Sequence, residues 1–526
     1  MLVTEASSPA QGGSAQGIAA GYAFTTTALE LGAVSVSGQV DSEAKVRIPL
    51  SMMNRHGLVA GATGTGKTKT LQLIAEQLSS NGVPVVMADI KGDLSGLSRA
   101  GAGNDKIADR SGQTGDDWQP AAHPVEFVSL GSEGIGVPVR ATITSFGPIL
   151  LSKVLGLNAT QESTLGLIFH WADKKGLPLL DLKDLRSVIA FLTGDEGKAE
   201  LKGIGGVSRQ TAGVILRALS NLEADGGDTF FGEPEIEPAD LIRMAPDGRG
   251  IITLFELGTQ AARPALFSTF LMWILADLFE FLPEAGDLDK PKLVFIFDES
   301  HLLFDDASKA FVDQVVQTVK LIRSKGVGVF FCSQLPTDIP KEVLSQLGAR
   351  VQHALRAFTP DDQKALRTTV KTYPVSEVYD LEQALTSLGT GEAIVTVLSE
   401  RGAPTPVAWT VIRAPRSSME AIGADAITAA AKAGPLYAKY GTSVDRESAY
   451  EMLAANTLAP GEPADAPAPA PSPAPAPTPG PASEEPGLLT EVLTSKPMQS
   501  FLRSAASAAG REFSRAIFGT GRRRRR

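Results

Sequence analysis

The sequence predicts an α/β fold centred on a doubly wound, mostly parallel sheet. The first observation is three short runs, PVVMADI (84–90), KLVFIFDES (292–300) and GVGVFFCSQ (326–334), each almost wholly apolar. Strands covered by helices on both faces read this way, because neither face meets water. The second is the apolar run Gly57–Ala60, which passes through a glycine-rich turn into TKTLQLIAEQLSS, where Leu71, Ile74, Ala75 and Leu78 share one helical face. The third is the alternation of such strands with helical stretches, the pattern of a parallel sheet joined by crossover helices.

Taken in order, residues 1–20 are small and polar and are expected to be disordered. They lack the basic start and apolar stretch of a secretory signal. Residues 21–50 carry GAVSVSGQV and KVRIPL, which predict a short N-terminal β element ahead of a main domain over 51–416. Within that domain, PILLSKVLGL, STLGLIFHWADKKG and SRQTAGVILRALSNLEA predict a helical insertion over about 146–245. Ala265–Leu282 is the most apolar long window, but Asp277 and Glu280 interrupt it. Its uncharged part falls short of the ~20 residues a membrane span needs, so it predicts a buried helix. GEAIVTVLSERGAPTPVAWTVI (391–412) predicts a hairpin, and 417–458 peripheral helices. Residues 459–486 are a Pro/Ala-rich linker that cannot pack. Beyond it, Met498, Phe501, Leu502, Ala505, Ala509, Phe513 and Ile517 recur at helical spacing, giving an amphipathic helix over 487–526 that ends in Arg522 to Arg526.

Charge narrows the function classes. The chain of 526 residues carries a net charge of −10, so its surface as a whole does not favour polyanions. Residues 485–526 alone sum to +6, which leaves −16 for the rest. Contact with phosphates must therefore come from local clusters. The lone Cys332 lies in an apolar run, reads as a small buried hydrophobe and cannot form an intrachain disulfide. Together with the missing signal this predicts a cytoplasmic protein, with the tail able to reach the inner membrane surface.

The chemistry concentrates in two motifs. Gly61, Ala62, Thr63, Gly64, Thr65, Gly66, Lys67 and Thr68 satisfy GxxxxGK[ST] at every fixed position, with Lys69 next in the helix. Glycines let the backbone curl so that successive N–H groups face a phosphate, and the helix presents its positive end. Lys67 would bridge the β- and γ-phosphates of ATP, and the Thr68 hydroxyl would ligate Mg²⁺. Asp298 and Glu299 close an apolar strand, which suits Asp298 to hold a Mg²⁺-bound water and Glu299 to polarise the attacking one. Gln334, at the tip of the third strand, is a candidate sensor of the γ-phosphate. Asp89 and Asp93, in ADIKGDL, stand at the mouth of the second strand, where an open α/β sheet gathers ligands. His56 reads as a packing or hydrogen-bonding residue.

NRHGLVAGATGTGKTKT, ADIKGDLSGL, LVFIFDESHLLF, RSKGVGVFFCSQLPTDIP and ARVQHALRAFTPDDQKAL, in this order, resemble a HerA-like ATPase of the bacterial branch, from about residue 21 to 416 plus the Arg-rich tail. The resemblance implies a RecA-like fold and membership of a wider group, with FtsK-like translocases, of hexameric rings that pump double-stranded DNA. It also implies that an arginine from a neighbouring subunit completes the site, with Arg356 the best match and Arg350 and Arg323 its rivals. The segment ahead of the phosphate loop is shorter than the β-barrel of archaeal relatives, which argues against a nuclease partner. Lys320, Arg323 and Lys325 are candidate phosphate contacts near a ring pore. The alternative reading is an ATP-driven assembly or remodelling protein acting on polypeptides or at a membrane, its tail contacting anionic lipid, DNA or a protein.

Overall fold

The computed structural model describes residues 14–197, 199–200, 206–258, 264–304 and 309–458. The linker at 459–486, the amphipathic segment at 487–526 and the first 13 residues lie outside the described residues.

Twelve strands of the described residues join in one sheet. They are β1 (Ala28–Val36), β2 (Gln39–Pro49), β3 (Gly57–Ala60), β4 (Val85–Asp89), β5 (Val125–Leu130), β6 (Val137–Val139), β7 (Ile252–Glu256), β8 (Leu293–Phe297), β9 (Val327–Ser333), β10 (Ala349–Gln352), β11 (Glu392–Thr396) and β12 (Ala408–Ile412). Their order is β2-β1-β12-β11-β10-β3-β9-β8-β4-β7-β5-β6. The eight from β10 to β6 are parallel to one another. The remaining four pair antiparallel as a wing on the β10 side. The residues of β3, β4, β7, β8 and β9 are all buried, as expected for strands covered on both faces. This is a RecA-like doubly wound sheet, larger than the three apolar runs and hairpin alone suggested. β7 (ITLFE) and β10 (ARVQ) are short, and periodicity alone cannot distinguish such runs from buried helix segments.

At the N-terminus, residues 15–20 depart from the expected disorder. They form α1 (Ala15–Ala20), capped by the Ser14 hydroxyl and anchored by buried Ile18. β1 and β2 continue the main sheet, because β1 pairs with β12 through Gly32↔Ile412 and Val34↔Thr410. After β3 comes α2 (Lys67–Ser80), whose Leu71, Ile74, Ala75 and Leu78 are buried, and after β4 comes α3 (Asp105–Thr114). Between β6 and β7 stand four helices: α4 (Ile143–Val154), α5 (Ala159–Lys175), α6 (Leu182–Thr193) and α7 (Arg209–Ala224). Each has a polar N-cap side chain, Thr142, Asn158, Asp181 and Ser208, that accepts from first-turn N–H groups. The long apolar window is α8 (Pro264–Phe281), packed against α4. No helix of the described residues is long and apolar enough to cross a membrane.

Candidate functional site

Strand register assembles the site. Ala60 pairs with Ser333, and Phe297 with Phe331, so the segments that follow β3, β9 and β8 leave the same edge of the sheet. β3 and β8 flank β9, so the phosphate loop and the Asp298-Glu299 pair start about 10 Å apart, two strand spacings. Asp89 ends β4 on the other side of β8 and pairs in register with Glu256 of β7. The motif residues, separated by more than 200 positions in the chain, thus share one edge.

The loop Gly61–Gly66 takes the curled path expected of its glycines. Gly61, Gly64 and Gly66 have φ of 151°, 79° and 114°. A Cβ on Gly61 would stand 2.6 Å from the His353 Cβ, and one on Gly66 3.2 Å from the Gly391 nitrogen. The Lys67 ammonium is buried and donates to the carbonyls of Gly61 at 2.5 Å and Ala62 at 3.3 Å. The Thr65 hydroxyl closes the turn onto Ala62 O at 2.7 Å. No side chain caps the N-terminus of α2, so the positive end of this helix opens onto the loop. Thr68 is half-buried in its first turn. Lys69 is turned away from the loop: its ammonium donates to Met419 O at 2.6 Å.

The acids leave the same edge of the sheet as this loop, two strands away. Asp298 is buried; its Oδ1 accepts from the Glu299 N–H at 2.9 Å, while its Oδ2 is buried without a hydrogen-bond partner. Burial, with the neighbouring Glu299 charge, raises its carboxyl above the usual range. Cys332, expected to be a buried hydrophobe, is buried as such, and its thiol lies beside Asp298 and within reach of the Lys67 charge. Glu299 is buried at a φ of 46°, left-handed backbone that is uncommon for a non-glycine residue. Its Oε1 pairs with Lys91 Nζ at 2.5 Å. Its Oε2 lies 3.4 Å from His301 Nδ1 but makes no hydrogen bond. Gln334 is exposed just past β9, on a loop that Asp338 pins by accepting from Ser333 Oγ and the Leu335 N–H.

Asp89 shapes the next loop, its carboxylate accepting N–H bonds from Gly92, Asp93 and Leu94 at 2.6, 3.2 and 2.8 Å. Burial pushes it up to about 6. Asp93 has a buried Oδ1 without a partner. Beside them, Glu256 is pushed up to about 8 by burial and the Asp89 charge.

The arginines separate. Arg356, expected to serve a neighbouring subunit, reaches the phosphate loop of its own chain, donating to Thr63 O at 3.4 Å. The reason is register: β10 lies beside β3, and Ala62 N donates to Ala354 O at 2.8 Å. Arg350 donates to Thr372 O at 2.6 Å and stacks on Tyr373, a packing role. Arg323, with Lys320 and Lys325, precedes β9 and so stands at the opposite edge of the sheet from the phosphate loop. Lys325 pairs there with Glu284 at 3.1 Å. His56 is buried and accepts the Val329 N–H on Nδ1 at 3.1 Å; burial pushes it down to about 4, a neutral acceptor.

Three neighbours of the site escaped the sequence reading. His353 backs the phosphate loop, with Nε2 2.9 Å from Thr70 Oγ1 and Nδ1 2.8 Å from Glu392 O, and burial pushes it down to about 4. Lys91 holds Glu299, and Glu256 adjoins Asp89. Lys91, inside the ADIKGDL segment at a strand mouth, carried the one signal that could have flagged it.

The donor set suits a hard divalent cation: the Thr68 hydroxyl and the partnerless Asp298 Oδ2 are oxygens. Among the described residues no three His, Cys, Asp or Glu side chains gather as a cage. A cation here would draw its other ligands from phosphate and water, as Mg²⁺ does.

A model of the helicase HerA-like C-terminal family matches residues 35–526. The DNA double-strand break repair helicase HerA of Sulfolobus acidocaldarius is 22% identical over 372 residues, covering 70% of this chain and 68% of that protein. The bacterial conjugative coupling protein TrwB superposes with a TM-score of 0.50 at 15% identity, over 77% of this chain and 93% of its own. TrwB in complex with the non-hydrolysable ATP analogue ADPNP gives a TM-score of 0.50 at 16% identity, over 76% and 97%.

Proposed function

Because the chain belongs to the helicase HerA-like C-terminal family, we propose that it is an ATP-hydrolysing, Mg²⁺-dependent motor acting on DNA as a homo-oligomeric ring of six copies in the cytoplasm. The observation that carries this reading is the meeting of the Gly61–Thr68 loop and the Asp298-Glu299 pair at one edge of a RecA-like sheet. The archaeal relative is named as a DNA repair helicase, and TrwB, which shares the fold, forms a complex with the ATP analogue ADPNP.

In this reading the amides of Gly64, Gly66, Lys67 and Thr68 and the Lys67 ammonium bind the β- and γ-phosphates. Thr68, and Asp298 through a bound water, would hold Mg²⁺, which would neutralise charge on the phosphates when bound. Glu299 takes the proton of the attacking water, and Gln334 at the end of β9 reports the state of the γ-phosphate. Arg356 contacts the phosphate loop of its own chain and contributes charge there.

The test is the ATPase rate of the purified chain with duplex DNA, single-stranded DNA, RNA and anionic vesicles in turn. Duplex DNA raises the rate, whereas stimulation by vesicles alone would replace this reading with action at a membrane. Glu299→Gln abolishes turnover, a loss of at least about a hundredfold, and keeps ATP binding. Normal turnover in that variant would remove Glu299 as the base.

A further inference from the structure

Glu299 is held by a cation that the hydrolytic reading does not use. Its Oε1 is paired with Lys91 Nζ at 2.5 Å, and its carboxylate is only 10% exposed, while the Lys91 side chain is 42% exposed. A base that takes a proton from water works through a free carboxylate oxygen and through its negative charge. The ammonium occupies one oxygen and neutralises much of the charge. The backbone at Glu299, with φ of 46°, adds a second constraint on where the side chain can go.

Lys91 is itself carried on a defined turn. The buried Asp89 carboxylate gathers the N–H groups of Gly92, Asp93 and Leu94, and Gly92 takes a φ of 72° with open space around it. The turn is therefore fixed at its base and open at its tip. Glu299 holds the Lys91 ammonium in its charged form, raised above the ordinary lysine range against the opposing effect of burial. A charged, half-exposed lysine is what a phosphate oxygen attracts.

We propose that Lys91 is a positioning residue that restrains Glu299, and that the phosphodiester backbone of a bound nucleic acid draws its ammonium away and frees the base. This rests on the assignment of Glu299 as the base. It places the coupling between track and hydrolysis in a single ion pair, that of Lys91 with Glu299. Track binding needs no large rearrangement of the sheet under this scheme, only exchange of one carboxylate for one phosphate as the partner of Lys91.

The experiment compares the parent chain with Lys91→Met and Lys91→Arg at saturating ATP and Mg²⁺, with and without duplex DNA. In Lys91→Met the rate without DNA rises several-fold toward the stimulated rate, the ratio of the two falls toward one, and KM for ATP stays within about twofold of the parent. Lys91→Arg keeps the cation and brings the DNA-free rate back down. An unchanged DNA-free rate in Lys91→Met would make the pair an idle surface contact and overturn the proposal. A fall in that rate would make Lys91 a group serving the γ-phosphate, which also overturns it. Lys91→Gln gives the same readout should the methionine variant lose its cooperative melt. Glu299→Gln separates the two levels. If it is inactive while Lys91→Met leaves the rate unchanged, the restraint fails and the motor stands; if it turns over normally, the assignment of the base fails. The double variant Lys91→Met/Glu299→Gln stays inactive if the gain runs through Glu299.

Discussion

At the scale of single residues, the site divides into what a motif can announce and what only register can bring about. Lys67, Thr68, Asp298 and Glu299 stood out because their motifs fix residue types at set spacing, and no distant contact is needed to recognise such a pattern. His353 was not legible: its ring meets Thr70 across 283 positions, and nothing in ARVQHALRAF sets it apart from a histidine that merely packs. Arg356 was singled out by its motif, but its place beside the phosphate loop of its own chain was not, since sequence carries no record of which strand lies beside β10. Tight packing at the loop makes a sharp prediction. Gly61→Ala sets a Cβ 2.6 Å from His353 Cβ at a φ of 151°, so the loop or the histidine must shift. Affinity for a fluorescent ATP analogue falls at least about tenfold, roughly 1.4 kcal/mol, while the melting temperature changes by only a few degrees.

At the scale of elements, the buried parallel strands and α2 were visible in local pattern, because burial on both faces writes itself into composition. The place of β1 and β2 was not. β12, the partner through which β1 joins the sheet, lies more than 370 positions away, and a nine-residue strand looks the same whether it stands alone or extends a sheet. The β4–β7 pair carries a prediction of its own. Glu256 is pushed up to about 8 by burial and the Asp89 charge, so the folded chain binds a proton there that the unfolded chain releases near its ordinary value of 4.5. The unfolded state then binds fewer protons across that window, so this contribution to stability is complete below pH 4.5 and is lost as pH rises through about 8. Glu256→Gln removes the titration. Denaturation between pH 5 and 9 therefore shows the variant gaining on the parent as pH climbs, by at least about 1 kcal/mol at the upper end. A difference independent of pH would contradict the assignment.

At the scale of the whole molecule, a net charge of −10 and an edge that carries the phosphate-loop motif coexist, so capture of a polyanion has to be local. If the track is duplex DNA, stimulation of the ATPase falls steeply between about 50 and 200 mM salt, because each phosphate neutralised releases a counterion. A flat salt response in the DNA-stimulated rate would speak against a phosphate-tracking motor. The wing of the sheet has a further consequence for how the chain tolerates trimming. The Tyr22 hydroxyl donates to Val395 O at 2.9 Å and Pro406 O at 2.6 Å, which stitches the beginning of the described chain to the hairpin that β1 covers. Cutting the chain back past β2 would leave β12, with its buried Val411 and Ile412, as a bare margin offering unpaired amides to any neighbour. A shortened chain of that kind should come out of solution as sticky, strand-swapped material even with every nucleotide-binding residue intact.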